Sequence, residues 1–369
     1  MVTFALFDLW CSMKNVKTAI KLLFASLAFT SLTALSAEIT NLSPDTEADR
    51  ISWQKLDDLL GKTPAFPQKT VLGAIAKTKD IEFWQNIGKG YMFMADKMGV
   101  KLDYLAAQNE EDPLGQLNIA ETLIAKNVTA ILASPQTDVT LQLPFEEALK
   151  AKIPLINVSD AVIPQTRYFV GGMHYRNGMD VAEWFLQKYP KGGEVAVIEG
   201  LPLVYATTQR SRGFINTLKK NHDFKVVEQL CGNWVFEDAQ KVTEEILKKH
   251  PNIIGIYCHN DIMALGAVDT LKKHNLLGKI VVFGTDGISL AYESIAKGEL
   301  TGTVDSFPEV TGAIAVQVAA RVISGQKVPR VVVTPQKLIT KDNCETYKNR
   351  NIDFLLEELS NPTSADHSY

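Results

Sequence analysis

Two short runs concentrate the polar side chains best suited to reading a small molecule. In Tyr257-Cys258-His259-Asn260-Asp261-Ile262-Met263-Ala264-Leu265-Gly266-Ala267 a buried-strand pattern runs straight into a helical one. In Val281-Val282-Phe283-Gly284-Thr285-Asp286-Gly287 a second strand pattern ends on small and polar residues. The carboxyl ends of strands in open α/β sheets face the ligand crevice. Asn260, able to donate and accept, and Asp286, an acceptor, are therefore placed where a bound molecule would sit. Both residue types also cap helices. Asp286 could cap a helix starting near Ile288, and for Asn260 capping and ligand contact are compatible.

Competing chemistry is sparse. The chain contains no phosphate-cradling Gly-x-x-x-x-Gly-Lys, no Gly-x-Ser-x-Gly elbow and no His-Glu-x-x-His. Its 6 histidines lack metal-ligand spacing. Carboxylate runs such as Glu110-Glu111-Asp112 and Glu244-Glu245 read as solvated loops or helix faces. A glycosidase would need two carboxyl groups across a bound sugar, and Asp80 and Asp286 are the only pair to nominate. The expectation is a binding protein, not an enzyme, with no cofactor and no metal.

The elements that must carry these residues alternate. Val71–Ala76 reads as a buried strand; Trp84, Ile87, Gly88, Tyr91, Met92, Ala95 and Met98 then repeat at helical spacing up to Gly99. Strands at 102–105, 129–133 and 153–158 alternate with helices, and the pattern restarts at Glu194. It continues through helix 205–219, strand 225–230, helix 237–249, strand 253–257, helix 261–273 and strand 280–283. Two successive sets of this kind imply two doubly wound parallel-sheet lobes with right-handed crossovers. The break falls near Met173 with no linker, so hinge strands near 172–174, 305–307 and 330 are expected to join the lobes. The expected division is 69–172 plus 307–330 for the first lobe and 173–306 plus 331–345 for the second.

The flanks carry their own signals. A basic stretch from Met13, an apolar core at 22–32 and Ala34-Leu35-Ser36-Ala37 have the layout of a secretory signal peptide over residues 1–37, with Met13 a candidate start. This implies an exported, periplasmic protein. Residues 38–68 form an extension in which Ile51, Leu56, Leu59 and Leu60 suggest an amphipathic helix, and residues 346–369 form a charged tail. Without residues 1–37 the formal charge moves from −4 to −6. A mildly acidic chain with no basic cluster argues against nucleic acid as a partner. Three cysteines remain beyond residue 37, Cys231, Cys258 and Cys344, so at most one bridge can form and three free thiols are the simpler reading.

From Lys69 to Ile339 the chain resembles the ribose/galactose-type sugar-binding proteins of the type I periplasmic binding protein superfamily. The resemblance rests on Ile153-Pro154-Leu155-Ile156, Arg210 followed by Gly213-Phe214, His250-Pro251, Asn260-Asp261 with Met263-Ala264-Leu265-Gly266-Ala267, and Thr285-Asp286-Gly287. It implies capture of a monosaccharide or polyol in an interlobe cleft by a monomer, and delivery to a membrane ABC permease. By the same resemblance, Phe83 and Trp84 stack on a sugar face, Trp234 supplies the opposing plate and Arg210 forks onto ring and hydroxyl oxygens. Asn260 and Asp286 take hydroxyls. Lys77, Asp80, Ser134, Ser159, Asp160 and Ser306 fill the remaining family positions. Several depart from the ribose type: Ser159-Asp160 replaces an Asp-Arg pair, and Ser306 replaces a glutamine. Lys77 and Asp80 in one pocket wall either recognise an anionic or amino-bearing sugar or pair with each other, and pairing is the simpler expectation. The extensions, Phe83-Trp84 and Arg210 also resemble the LuxP-type receptors, which implies an alternative partner, a membrane sensor kinase.

Overall fold

The computed structural model describes residues 40–360; the segment read as an export signal lies outside the described residues. In the first lobe, β1 (Arg50–Ser52) and α1 (Leu56–Leu60) precede β2 (Val71–Ala76), α2 (Glu82–Lys97), β3 (Lys101–Ala106), α3 (Pro113–Ala125), β4 (Ala130–Ala133), α4 (Gln142–Lys150), β5 (Leu155–Val158) and β6 (Tyr168–Gly171). The chain then crosses to α5 (His174–Lys188), β7 (Gly193–Glu199), α6 (Tyr205–Leu218), β8 (Phe224–Cys231), α7 (Phe236–Lys249), β9 (Gly255–Cys258), α8 (Asp261–Lys273), β10 (Val281–Asp286), α9 (Ser289–Lys297) and β11 (Gly302–Asp305). It returns through α10 (Pro308–Ile323) and β12 (Val331–Val333), crosses again to β13 (Lys337–Thr340), and ends in α11 (Cys344–Tyr347) and α12 (Ile352–Ser360).

The first sheet runs β1-β12-β6-β5-β4-β2-β3 and is parallel throughout; the second runs β13-β11-β10-β9-β7-β8 with only β13 antiparallel. The long apolar strand runs are buried on both faces, as parallel sheets require. Strand order reverses between β2 and β4 in the first sheet and between β7 and β9 in the second. Those reversals are the positions where open α/β sheets leave a crevice beyond the strand ends.

Two expectations are corrected by pairing. Val331–Val333 aligns with Phe169–Gly171 in the first sheet, so the third crossing lies at 334–336, beyond β12, and not near 330. Residues 50–55 do not continue the helix at 56–60: β12 presents a free edge, and Arg50–Ser52 pairs along it in register with Val331–Val333. Pairing there satisfies backbone groups that the β12 edge would otherwise leave open. Cys231, Cys258 and Cys344 are all free thiols.

Each lobe fixes its cleft-side helix by a close helix crossing. A Cβ on Gly178 of α5 would lie 2.0 Å from the Arg210 carbonyl of α6, and one on Gly213 would lie 1.9 Å from the Tyr175 carbonyl. Gly90 of α2 and Gly312 of α10 repeat the arrangement, 2.0 Å from the Glu309 carbonyl and 2.2 Å from that of Ile87. Only glycine lets these backbones approach. Gly178→Ala must push α6 away and is expected to cost about 1–3 kcal/mol in urea unfolding; an unchanged midpoint would contradict the tight crossing.

Candidate functional site

Seven of the twelve residues singled out in the sequence converge on one interlobe cavity with an empty volume of about 340 Å³, part of it open to water. Ile81, Phe83, Trp84, Glu110 and Asp160 line it from the first lobe, and Arg210, Trp234, Asn260 and Asp286 from the second. Trp84 lies in the first turn of α2, its ring edge-on to Phe83 at 4.8 Å. Its indole Nε1 donates to Glu110 Oε1 at 2.6 Å, which fixes the plane of the plate. Trp234 follows Asn233, and both have positive φ, 66° and 55°. Strained backbone of this sort persists where the surroundings over-determine it. The Asn260 Nδ2 donates to the Trp234 carbonyl at 3.3 Å, and Gly200 leaves room for the indole, which a Cβ there would meet at 2.0 Å.

Arg210 and Asp286 carry the charge. Arg210 donates from Nη1 to the His259 carbonyl, its guanidinium carbon lies 5.9 Å from the Trp234 ring centre, and its buried Nε has no partner. Asp286, last residue of β10 with φ 132°, forms no side-chain hydrogen bond among the described residues. Arg210 and Asp286 form no ion pair with each other although both line the cavity. Burial lifts the Asp286 carboxyl well above the usual range; Arg210 draws it back, and Asp261, Glu110 and Asp160 push it further up. Glu110 is likewise raised, first by burial, with Lys77 opposing.

The capping alternatives resolve separately. Asn260 does cap α8: its Oδ1 accepts from Met263 N at 2.9 Å, leaving amide capacity toward the cavity. Asp286 does not cap α9; the Asp261 carboxylate instead accepts from Gly287 N and Ile288 N at 2.8 and 3.0 Å. Asp261 is fully buried, and its carboxyl is pushed up to about 7, chiefly by desolvation.

Other expected residues fall elsewhere. Lys77 pairs with Asp160, not Asp80, at 3.0 Å, and sits behind the wall with its Nζ 5.2 Å from the Trp84 ring. Asp80 is solvent-exposed, because the turn before α2 directs Ile81 inward in its place. Ser134, Ser159 and Ser306 are buried near the strand ends but do not line the cavity. Glu110 was read as part of a solvated acidic run, yet it lies in the wall. Its only sequence signal is position, in the loop directly after β3 on the cleft side.

The lobes are closed over the cavity. Ser289 donates from N and Oγ to Glu82 Oε1 at 3.0 and 2.6 Å. Asp138 Oδ1 accepts from Tyr205 N at 3.0 Å, Asp138 N donates to the Leu203 carbonyl at 3.0 Å, and Ala206 N donates to the Asp160 carbonyl at 3.0 Å. Behind the second-lobe wall, His259 Nδ1 accepts from Gly200 N, and its Nε2 meets Ser211 Oγ at 3.1 Å. His174, where the chain enters α5, is buried with neither ring nitrogen partnered.

This is a two-lobed cleft with an indole on each side of its cavity. Residues 72–327 match the periplasmic binding protein domain. The D-allose-binding periplasmic protein of Escherichia coli K12 is 30% identical over 282 residues, 72% of this chain and 91% of that protein. The ribose import binding protein RbsB of Bacillus subtilis 168 is 30% identical over 272 residues, 73% of this chain and 87% of that protein. Among solved structures, a periplasmic solute-binding protein of Actinobacillus succinogenes 130z with bound D-allose superposes with a TM-score of 0.72. It is 30% identical, and the match covers 76% of this chain and all of that one. The chain therefore belongs to the periplasmic binding protein family, of the ribose/galactose type. Like those relatives it is a binding protein and not an enzyme.

Burial lowers the pKa of His174 well below 6.5, with the nearby Arg210 charge adding to the effect. A histidine with a depressed folded pKa contributes full stability above the unfolded value and loses it as pH falls below that value. Substituting His174→Phe removes this loss. Relative to the wild type, the variant should gain about 1.4 kcal/mol between pH 7.5 and 5.5 in urea unfolding. A pH-independent difference would show that His174 titrates normally in the folded chain.

Proposed function

We propose that this protein captures a neutral monosaccharide in its interlobe cavity in the periplasm and hands it to a membrane ABC importer. The observation that carries the reading is the pair Arg210 and Asp286: both line one cavity, both are buried and neither is ion-paired. A hydroxyl-rich ring satisfies both, donating hydroxyl protons to Asp286 and accepting from the Arg210 fork, while Trp84 and Trp234 cover its C–H faces. The relatives' printed ligands, D-allose, ribose and, in a Burkholderia graminis protein 25% identical with a TM-score of 0.72, D-arabinose, are of this class. Charge narrows it further. Asp160 is paired by Lys77, and Glu110 and Asp286 set two further carboxyls against the single Arg210, so sugar phosphates and uronic acids find no surplus of cationic groups. The signalling alternative draws no support from these relatives. Among the described residues no helix is long and apolar enough to cross a membrane.

A thermal-shift panel of neutral aldoses, polyols, sugar phosphates and uronic acids tests the reading. D-allose or another neutral aldose should raise Tm, and the anionic sugars should not. Stabilisation by sugar phosphates alone would refute it. With the sugar that binds, Asp286→Ala and Arg210→Ala should each weaken affinity by at least about 30-fold in calorimetric titration, since each strands a buried charged group. Glu110→Ala releases the Trp84 indole and should weaken it by about 5- to 10-fold.

A further inference from the structure

The chain beyond β13 lies outside the matched residues 72–327, and it makes a fourth passage between the lobes. It leaves β13 in the second sheet, packs Cys344 and Tyr347 inward, and ends in α12 on the first lobe. There Leu355 and Leu359 are buried, the Leu359 carbonyl accepts from Gln54 Nε2 at 2.7 Å, and Lys97 pairs with Asp353 at 2.9 Å. Between these anchorages the chain inserts Arg350 into the crossover that joins β11 to α10.

Arg350 meets a carboxylate from each side of that crossover. Its Nε donates to Glu309 Oε1 at 2.8 Å and its Nη2 to Glu309 Oε2, while Nη1 donates to Asp305 Oδ2. Glu309 stands on α10 of the first lobe and Asp305 ends β11 of the second. Both are essentially inaccessible to solvent. Asp305 also accepts from Tyr292 Oη and Phe307 N, each at 2.7 Å, and the guanidinium lies 5.8 Å from the Phe307 ring and 5.9 Å from that of Tyr292. Phe307 itself has φ 44°, a strained value in the middle of the crossover. Its neighbour Ser306 donates from N to the carbonyl of Asp286, on the cavity wall, at 3.4 Å.

We propose that Arg350 is a positioning residue for the cleft, bridging the two lobes so that the crossover 305–308 holds the dihedrals of the closed form. Hinge opening must rotate Asp305 and Glu309 relative to each other, because each moves with a different lobe. A guanidinium has fixed planar geometry and cannot follow both carboxylates through such a rotation without losing bonds. The fork therefore biases the ligand-free protein toward closure, and apparent affinity scales with the fraction already competent to bind.

The test compares the full chain with Arg350→Lys, which keeps the charge but removes the fork, and with Leu355→Ser/Leu359→Ser, which frees the landing helix and leaves Arg350 intact. Small-angle scattering reads the ligand-free and ligand-saturated shapes, and calorimetry reads D-allose and D-ribose affinity. Both variants should show a larger ligand-free radius of gyration, the wild-type radius when saturated, and a Kd raised about 5- to 20-fold. Unchanged Kd and unchanged scattering, with only Tm lowered, would overturn the proposal and leave Arg350 a packing residue. The affinity arm rests on the sugar reading. If no neutral aldose binds the wild type, that reading fails, and the ligand-free scattering comparison still decides the role of Arg350.

Discussion

The architecture turns on a buried guanidinium and a buried carboxyl that do not pair with each other. Arg210 and Asp286 reach one small cavity from α6 and from the end of β10, and neither finds a counter-ion there. Burying such groups without a partner is expensive, and in the proposed function a bound sugar offsets that cost. Lys77 and Asp160, in the opposite wall, mark the contrast: Asp160 Oδ2 pairs with Lys77 at 3.0 Å, and only its Oδ1 is left without a partner. The difference separates groups that hold the site from groups that read what enters it.

The rest of the fold supports that imbalance. Glycine-mediated helix crossings bring α5 against α6 and α2 against α10, so that Arg210 and the Trp84 plate are carried on helices with little freedom to retreat. Several positive-φ residues lie around the cleft, Ser159, Trp234 and Asp286 near the strand ends and Phe307 in the crossover, while others such as Lys69, Asn127 and Asn275 lie elsewhere. Closure is then recorded in a few cross-lobe hydrogen bonds, through Glu82, Asp138 and Asp160, that an open cleft cannot make. Apart from Asp160, which both lines the cavity and accepts from Ala206 N across the lobes, hinge strands, closing contacts and cavity-lining groups are different residues. Affinity and specificity can change separately.

Much of this was legible in the residues. Alternating apolar runs and helical periods reveal two parallel-sheet lobes because parallel strands buried on both faces leave an unmistakable apolar signature. Asn260 and Asp286 stood out by their strand-end positions, and Arg210 by the motif it shares with the family the chain resembles. What local pattern could not carry was partnership across the chain. Lys77 and Asp160 are 83 residues apart, whereas Asp80 is a near neighbour that the turn before α2 turns outward. Glu110 hid in an acidic run whose composition reads as solvated, although the direction of the loop after β3 is set by packing against Trp84. The strand at 50–52 forms only because β12 offers an edge, which is a property of the assembled sheet.

The most direct measurement is a crystal structure of the protein grown with saturating D-allose. The account predicts a pyranose ring between the Trp84 and Trp234 indoles, with Arg210 and Asp286 each within about 3.2 Å of ring or hydroxyl oxygens. Sugar density outside this cavity, or an occupied cavity in which Arg210 and Asp286 contact only each other, would contradict it.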